Sequence, residues 1–378
     1  MRRFRHDDHS RFARDKAMRK DYWSGRTVNT EPRASNGNHE HEPATWNRER
    51  GTGEIPPARY TIRHVTRFSY EVPITESVME ARMQPRTDGL QRCLHFALTT
   101  TPRARVMMYR DHDGNTIHHF DIPGRHSRLT LTAEALVECG APPPLPEQLS
   151  DDAWERLDVI AESGDHWEYL APSAFARPTL MLRALAKDIG LNRHEDPLAL
   201  LTRVMAHMQD HFDYRPQTTR VDSPIDEALE ARCGVCQDFA HIFIALARDV
   251  RIPARYVSGY LHHDAACHDR SDSDATHAWV EVFLPDLGWV GLDPTNNLVA
   301  GERHIRVAIG RDYADVPPTR GVFTGVSAVK SELAVAVQVG PVTPSPADVV
   351  PFTPWLSHDA AAPLPDVSDQ QQQQQQQQ

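Results

Sequence analysis

Long apolar runs are missing from this 378-residue sequence, and none approaches the roughly 18 residues that suggest a membrane-spanning helix. The amino-terminal stretch MRRFRHDDHSRFARDK is charged throughout and has no apolar centre, so it does not read as a secretory signal. A reducing cytoplasm is therefore the expected compartment. Cysteine is scarce: Cys93, Cys139, Cys233, Cys236 and Cys267 are few and odd in number, which excludes a disulfide framework. Net positive charge is also absent. A formal charge of −11 argues against a nucleic-acid partner. No acidic cluster resembles a calcium-binding loop, so no required metal is expected.

Apolar periodicity fails at both ends. Residues 1–56 are rich in Asn, Gly, His, Arg and Glu and read as a disordered tail. Their first twenty positions carry eight Lys/Arg against three Asp, the composition of a solvated basic arm. Residues 341–378 are dominated by Pro, Ala, Ser and Asp and finish in nine glutamines, Gln370–Gln378, a low-complexity tail.

Between the tails, two regions differ in pattern. Residues 57–140 read as a small all-β domain. YTIRHVTRFSYE alternates apolar and polar residues as a half-buried strand does, and CLHFALTTTP, RVMMYRDHDGNTIHHFDI and RLTLTAEALVE continue the habit. Asp113-Gly114-Asn115 marks a hairpin turn. Pro142-Pro143-Pro144 and Pro146 form a linker. Residues 150–340 then open with helical spacing in TLMLRALAKDIG, DPLALLTRVMAHMQDHF and PIDEALEAR, with Asp196-Pro197 and Ser223-Pro224 as helix starts. ARYVSGYL, THAWVEVFL and GWVGLD read as strands. Helices followed by a mostly antiparallel sheet give an α+β fold.

The chemistry concentrates at residues 232–241, RCGVCQDFAH. Gly234 permits a tight turn, and Gln237 begins a helix running to about Val250. A helix start presents unpaired N–H groups and a positive dipole end, a setting that favours the thiolate of a cysteine placed there. Cys236 is the candidate nucleophile. A dithiol pair of Cys233 with Cys236 is a rival reading, although no βαβ pattern surrounds it. A metal knuckle using Cys233, Cys236 and His241, or His262, His263, Cys267 and His268, lacks a complete four-ligand spacing. Asp238 reads as a charge favourable at the helix start, and His241 as a packed or surface residue.

A thiolate nucleophile needs a base, and the base an orienting group. His277 opens the strand HAWVEVFL and Asp293 closes the strand GWVGLD. Side chains alternate faces along a strand. Val280, Val282 and Leu284 share one face with Val290 and Leu292 of the second strand, which leaves His277, Trp279 and Asp293 on the other. A symmetric two- or four-residue loop breaks this parity, so an odd loop or a bulge is expected near Pro285. Backbone N–H groups at the helix start would serve an oxyanion. Gln237 is a further oxyanion candidate, and Trp279 a candidate cleft wall or packing residue. The loop LHHDAACHDRSDSDA before His277 reads as solvated.

GVCQDFAH, IPARYVSGYL and THAWVEVFLPDLGWVGLDPTNN together resemble the transglutaminase-like superfamily, in its bacterial branch with papain-like topology. YTIRHVTRFSYEVPITESVMEARMQPR resembles the β-rich region that precedes the core in that branch, and ERHIRVAIGRDYADVPPTRGVFTG the stretch that follows it. The resemblance covers residues 58–340. It implies a papain-like core and a Cys236–His277–Asp293 triad acting on a peptide or protein amide through a thioester. No cofactor, nucleic acid or membrane is implied. Hydrolysis by a cysteine peptidase or amidase is the preferred outcome, over acyl transfer by a transglutaminase or a non-catalytic peptide-binding module. Cys233 departs from the family's pattern without touching the triad.

Overall fold

The computed structural model describes residues 57–342, apart from 217, 265–266 and 326–329. The two expected disordered tails lie outside these residues, except for Pro341 and Val342.

Strands β1 (Ala58–Ala81), β2 (Gln91–Thr101), β3 (Met107–Arg110) and β4 (Thr116–Cys139) build the first sheet. β1 and β4 run antiparallel over nearly their whole length, from Ala58↔Cys139 to Ala81↔His118, with register shifts between Ser69 and Glu76. The alternating residues Leu129, Leu131 and Ala133 of β4 are buried, which is what their period-two pattern requires. Asp111–Asn115 makes the β3–β4 turn, with Gly114 at φ 75°.

After the proline-rich linker come α1 (Ala153–Ser163), α2 (Trp167–Leu170), α3 (Leu180–Asp188) and α4 (Pro197–His211). The Asp196 carboxylate accepts from Leu198 N and Ala199 N, so the Asp-Pro step starts α4. The paired strands β5 (Asp213–Tyr214) and β6 (Cys233–Gly234) flank α5 (Ile225–Ala231). α6 (Cys236–Asp249) follows directly. From Asp238 to Arg248 every residue of α6 is buried, as in a helix enclosed on all sides.

α6 packs on β7 (Ala254–Leu261) and β8 (His277–Leu284). These belong to a second antiparallel sheet with β9 (Gly288–Asp293), β10 (Leu298–Val299) and β11 (His304–Gly310), in the order β10-β9-β8-β7-β11. The architecture is α+β, with a β-rich amino-terminal region before a helical and antiparallel core. The last described strands depart from the expected grouping of residues 150–340 with the core. β12 (Thr319–Thr324) and β13 (Ser331–Pro341) return to the first sheet and pair with successive halves of β1. Their alternation carries no partner information, so pairing with a strand some 250 residues earlier leaves no local sign. No helix among the described residues is long and apolar enough to cross a membrane.

Candidate active site

Val235 precedes the first turn of α6 in an extended conformation, with ψ 176°. Its N–H donates to Asp238 Oδ2 at 2.9 Å, and the Thr219 hydroxyl donates to the same oxygen at 2.6 Å. Asp238 therefore closes the helix start as a buried capping carboxyl, whose pKa burial raises. A Cβ on Gly234 would stand 2.7 Å from this carboxylate, so the chain can turn tightly here only without a side chain. Cys236 takes the first helical position, half-buried. Its own N–H and that of Gln237 belong to the first turn, where helix geometry supplies no acceptor.

The β8–β9 register runs from Val280↔Leu292 to Leu284↔Gly288, with Pro285, Asp286 and Leu287 outside the pairing. This is the odd loop that face parity demands. Asp286 and Gly288 take φ 64° and 68° to close it. Asp293 thus shares a face with His277, and His277 Nε2 lies 2.7 Å from Asp293 Oδ2. Both side chains are buried. His277 Nδ1 is also buried and has no hydrogen-bond partner of ordinary geometry among the described residues. The Cys236 thiol acts on the His277 ring electrostatically and raises its pKa. His277 and Asp293 are in direct contact, and Cys236 stands at the start of α6 within electrostatic reach of His277.

Two residues complete the arrangement that sequence reasoning missed. His304, at the start of β11, places Nε2 3.2 Å from the same Asp293 Oδ2. Asn296 donates its amide to Oδ2 at 2.8 Å, and the backbone N–H groups of Thr295 and Asn296 donate to Oδ1 at 3.0 and 3.2 Å. The available signals were a histidine opening the strand HIRVAIG and an asparagine in the turn after Asp293.

The other candidates sit elsewhere. Gln237 donates one N–H of its side-chain amide to Val221 O at 3.0 Å, which ties the preceding loop to α6. Trp279 is buried with its ring 6.0 Å from that of His277. It walls a recess of ≈ 220 Å³ that His304 also lines, and that recess does not reach Cys236. His241 packs against Phe175 and accepts from Tyr313 N at 3.2 Å, and burial pushes its pKa down to about 3. The cysteines are free, and Cys233 is buried on β6.

The loop before His277 is exposed at Asp264, Cys267, His268 and 272–274, as expected of a solvated segment, but it is also anchored to the core. Arg270 donates to Gln209 O and Phe212 O at 3.0 and 2.5 Å. Asn296 Oδ1 accepts from Arg270 N at 2.7 Å, and Asp269 pairs with Arg303 at 2.7 Å. Asp274 O accepts from Val337 N of β13 at 2.9 Å. Arg270 and Asp269 make the anchors, a use that composition alone does not reveal.

Comparison with known proteins gives the family. Residues 183–294 match the family model of the transglutaminase-like superfamily, and residues 60–138 that of the bacterial transglutaminase-like N-terminal region. An uncharacterized protein of Mycobacterium leprae is 34% identical over 74% of this chain and 98% of its own length. The chain belongs to the transglutaminase-like superfamily. A protein-glutamine gamma-glutamyltransferase of Pseudomonas aeruginosa is 32% identical over 32% of this chain and 19% of its own length. A candidate cysteine protease of Cytophaga hutchinsonii shares the fold, with a TM-score of 0.62 at 18% identity over 77% of this chain and 93% of that one.

Electrostatics in this transglutaminase-like core favour a charged pair. Burial alone would drive the His277 proton off. The charge and hydrogen bond of Asp293, with the Cys236 thiol, outweigh it and raise the pKa to about 10. Burial works against the Asp293 carboxylate too, yet His277 and His304 hold its pKa far below the usual carboxylate range. His304 moves the opposite way from His277: burial lowers its pKa despite Asp293. Beside the thiol, burial and the charges at Cys236 and Asp272 push the Tyr214 hydroxyl upward. His277, Asp293 and His304 gather three potential metal-ligating atoms within 4.8 Å. All three are already engaged in hydrogen bonds centred on one carboxylate oxygen, an arrangement suited to holding protons.

Proposed function

We propose that the chain is a thiol-dependent amide hydrolase, a cysteine peptidase or amidase. The observation that carries this reading is the buried His277 Nε2–Asp293 contact, which leaves Nδ1 free while the Cys236 thiol at the start of α6 acts on the ring. The sulfur attacks the amide carbonyl carbon, and first-turn N–H groups of α6 receive the oxyanion. His277 Nδ1 gives its proton to the departing amine nitrogen, and the acyl group remains on Cys236 as a thioester. Water then attacks the thioester, passing a proton to Nδ1. The acid leaves and the thiolate–imidazolium pair is restored. Asp293 keeps the ring proton on Nε2 throughout, so Nδ1 does the exchange.

Hydrolysis is preferred to acyl transfer because transfer needs water excluded and an amine admitted. The compact Pro285–Leu287 turn supplies no long insertion to wall a channel. The test uses glutamine-containing and other amide peptides with a labelled amine, following free acid, incorporated label and intact protein mass. Acid release should dominate, with a transient acyl adduct on Cys236. Cys236→Ala should abolish turnover and leave the fold intact, and Cys233→Ser should keep most activity. Label incorporation outpacing acid release would make the chain a transferase. Equal loss in both cysteine variants with a redox-dependent rate would support the dithiol reading.

A further inference from the structure

Asp293 Oδ2 is shared between two histidines of opposite electrostatic character. The Gly301 N–H donates to His304 Nδ1 at 3.2 Å, so that nitrogen is an acceptor and the ring proton sits on Nε2, facing Asp293. A neutral ring in this tautomer is a fixed donor. His304 reaches Asp293 because the chain after β10 crosses the sheet: Ala300 N donates to Gly291 O at 2.9 Å, and Gly291 leaves room for Ala300, whose Cβ would lie 2.5 Å from an added Cβ. Trp279 stands edge-on to His304 with ring centres 5.2 Å apart. His304 and Trp279 both line the ≈ 220 Å³ recess, which also touches Gly89–Gln91 and Glu302. Asp293 has no exposed surface, and it is not part of the lining. His304 is therefore bonded to the carboxylate on one side and borders the recess on the other.

We propose that His304 is a positioning residue of the site, a neutral donor that aims the Asp293 carboxylate at His277 and separates it from the recess. The inference rests on the functional reading above, since aiming His277 matters only if Nδ1 serves Cys236. Removing the ring would admit water to Asp293. Coulombic attraction weakens as water enters, so Asp293 would hold the His277 proton less firmly. A carboxylate with one donor fewer also holds the imidazole less well, and misplacement of a catalytic group by about 1 Å costs about 100-fold in rate.

The test is NMR titration of histidine-labelled protein, following the downfield N–H signal of the ring bonded to Asp293, identified by its loss in His277→Gln. The wild-type signal should titrate near pH 10. In His304→Ala the midpoint should fall by about one unit or more, toward the ordinary histidine range. His304→Gln, which keeps a side-chain N–H and fills the wall, should hold most of the wild-type midpoint. In turnover, His304→Ala should lower kcat and leave KM unchanged, with Gln restoring most of the rate. An unchanged midpoint in both variants would overturn the proposal. So would equal losses of melting temperature and midpoint in Ala and Gln, because that is the signature of packing alone. Cys236→Ala separates the two readings: if it left turnover intact, the functional reading would fall while the titration still reported on His304.

Discussion

Asp293 accepts from His277, His304, Asn296 and two backbone N–H groups, so a fully buried carboxylate has every lone pair engaged. That satisfaction lets it remain charged and hold His277 protonated well above neutrality. The sign of the pH dependence follows. The imidazolium needed for leaving-group protonation is lost as pH rises through about 10, and this should set the alkaline limb of kcat/KM. Asp293→Asn removes the charge that does most to hold the proton. Its alkaline limb should therefore move toward the ordinary histidine range near 6.5, and its rate should fall by several orders of magnitude at most, as when a triad aspartate is replaced. Linkage gives a stability counterpart. The raised His277 stabilises the fold fully below about 6.5 and loses that contribution as pH rises through about 10. Asp293, held low, contributes above its ordinary 3.8 and loses its share only as pH falls far below that value. Profiles of kcat/KM and melting temperature for wild type and Asp293→Asn check both. An alkaline limb that stays in place in Asp293→Asn would remove the ion-pair account. Cys236, His277 and Asp293 were legible in the sequence because each sits at an element boundary, where motif and strand parity speak. His304 and Asn296 were not, because their approach depends on a crossing loop and a turn whose paths no periodicity encodes.

The β7–β8–β9 unit was the most legible element of the fold. Alternation placed His277 and Asp293 on one face, and parity required the three-residue turn found at Pro285–Leu287. Alternation did not show that both faces of β8 are covered. The aliphatic face meets α6, while Trp279 forms a separate small cluster with Val257 and Ile309. That second packing explains a glycine. A Cβ on Gly259 would stand 2.2 Å from Ile305 O and 2.7 Å from the Trp279 ring, although Gly259 needs no unusual backbone conformation. Gly259→Ala should therefore force the indole and β11 outward and destabilise the protein by about 1–3 kcal/mol, the usual cost of overfilling a packed interior. Since Gly259 pairs with His277 across the strands, activity should fall further than stability alone explains. Chemical denaturation beside turnover measures the two losses; a neutral effect on both would show that the sheet yields freely at this point.

Across the whole molecule, the first sheet shares an apolar cluster with the core through Tyr60, Ile62 and Val137, and side-chain amides acting as a missing strand reinforce the join. β11 is the edge of its sheet, and an unpaired edge leaves backbone groups wanting partners. Gln91 donates to Arg306 O and accepts from Arg306 N, both at 2.8 Å. Asn115, in the β3–β4 turn, does the same for Ile309 O and Ile309 N, also at 2.8 Å. Arg306 adds ion pairs to Asp88 at 2.6 Å and to the buried Glu281 at 3.3 Å, while Arg255 holds Glu281 from the other side at 2.6 Å. β12 and β13 then close the first sheet after the core has been traversed. This long-range closure is why a linear reading grouped them with their sequence neighbours. The amide pairing makes the final prediction sharp, because Asn115→Asp keeps size and shape while exchanging a donor for an oxygen. The new oxygen would face Ile309 O and leave that buried carbonyl unpaired, at about 1–3 kcal/mol. At about 2–4 °C per kcal/mol for a domain of 150–250 residues, the melting temperature should drop measurably. Asn115→Ala should cost a similar amount by leaving both Ile309 groups unpaired. Neither change touches Cys236, His277 or Asp293, so activity well below the transition should persist. If Asn115→Asp melted with wild-type protein, water would have to satisfy the β11 edge, and the amide pairing would add nothing to the join.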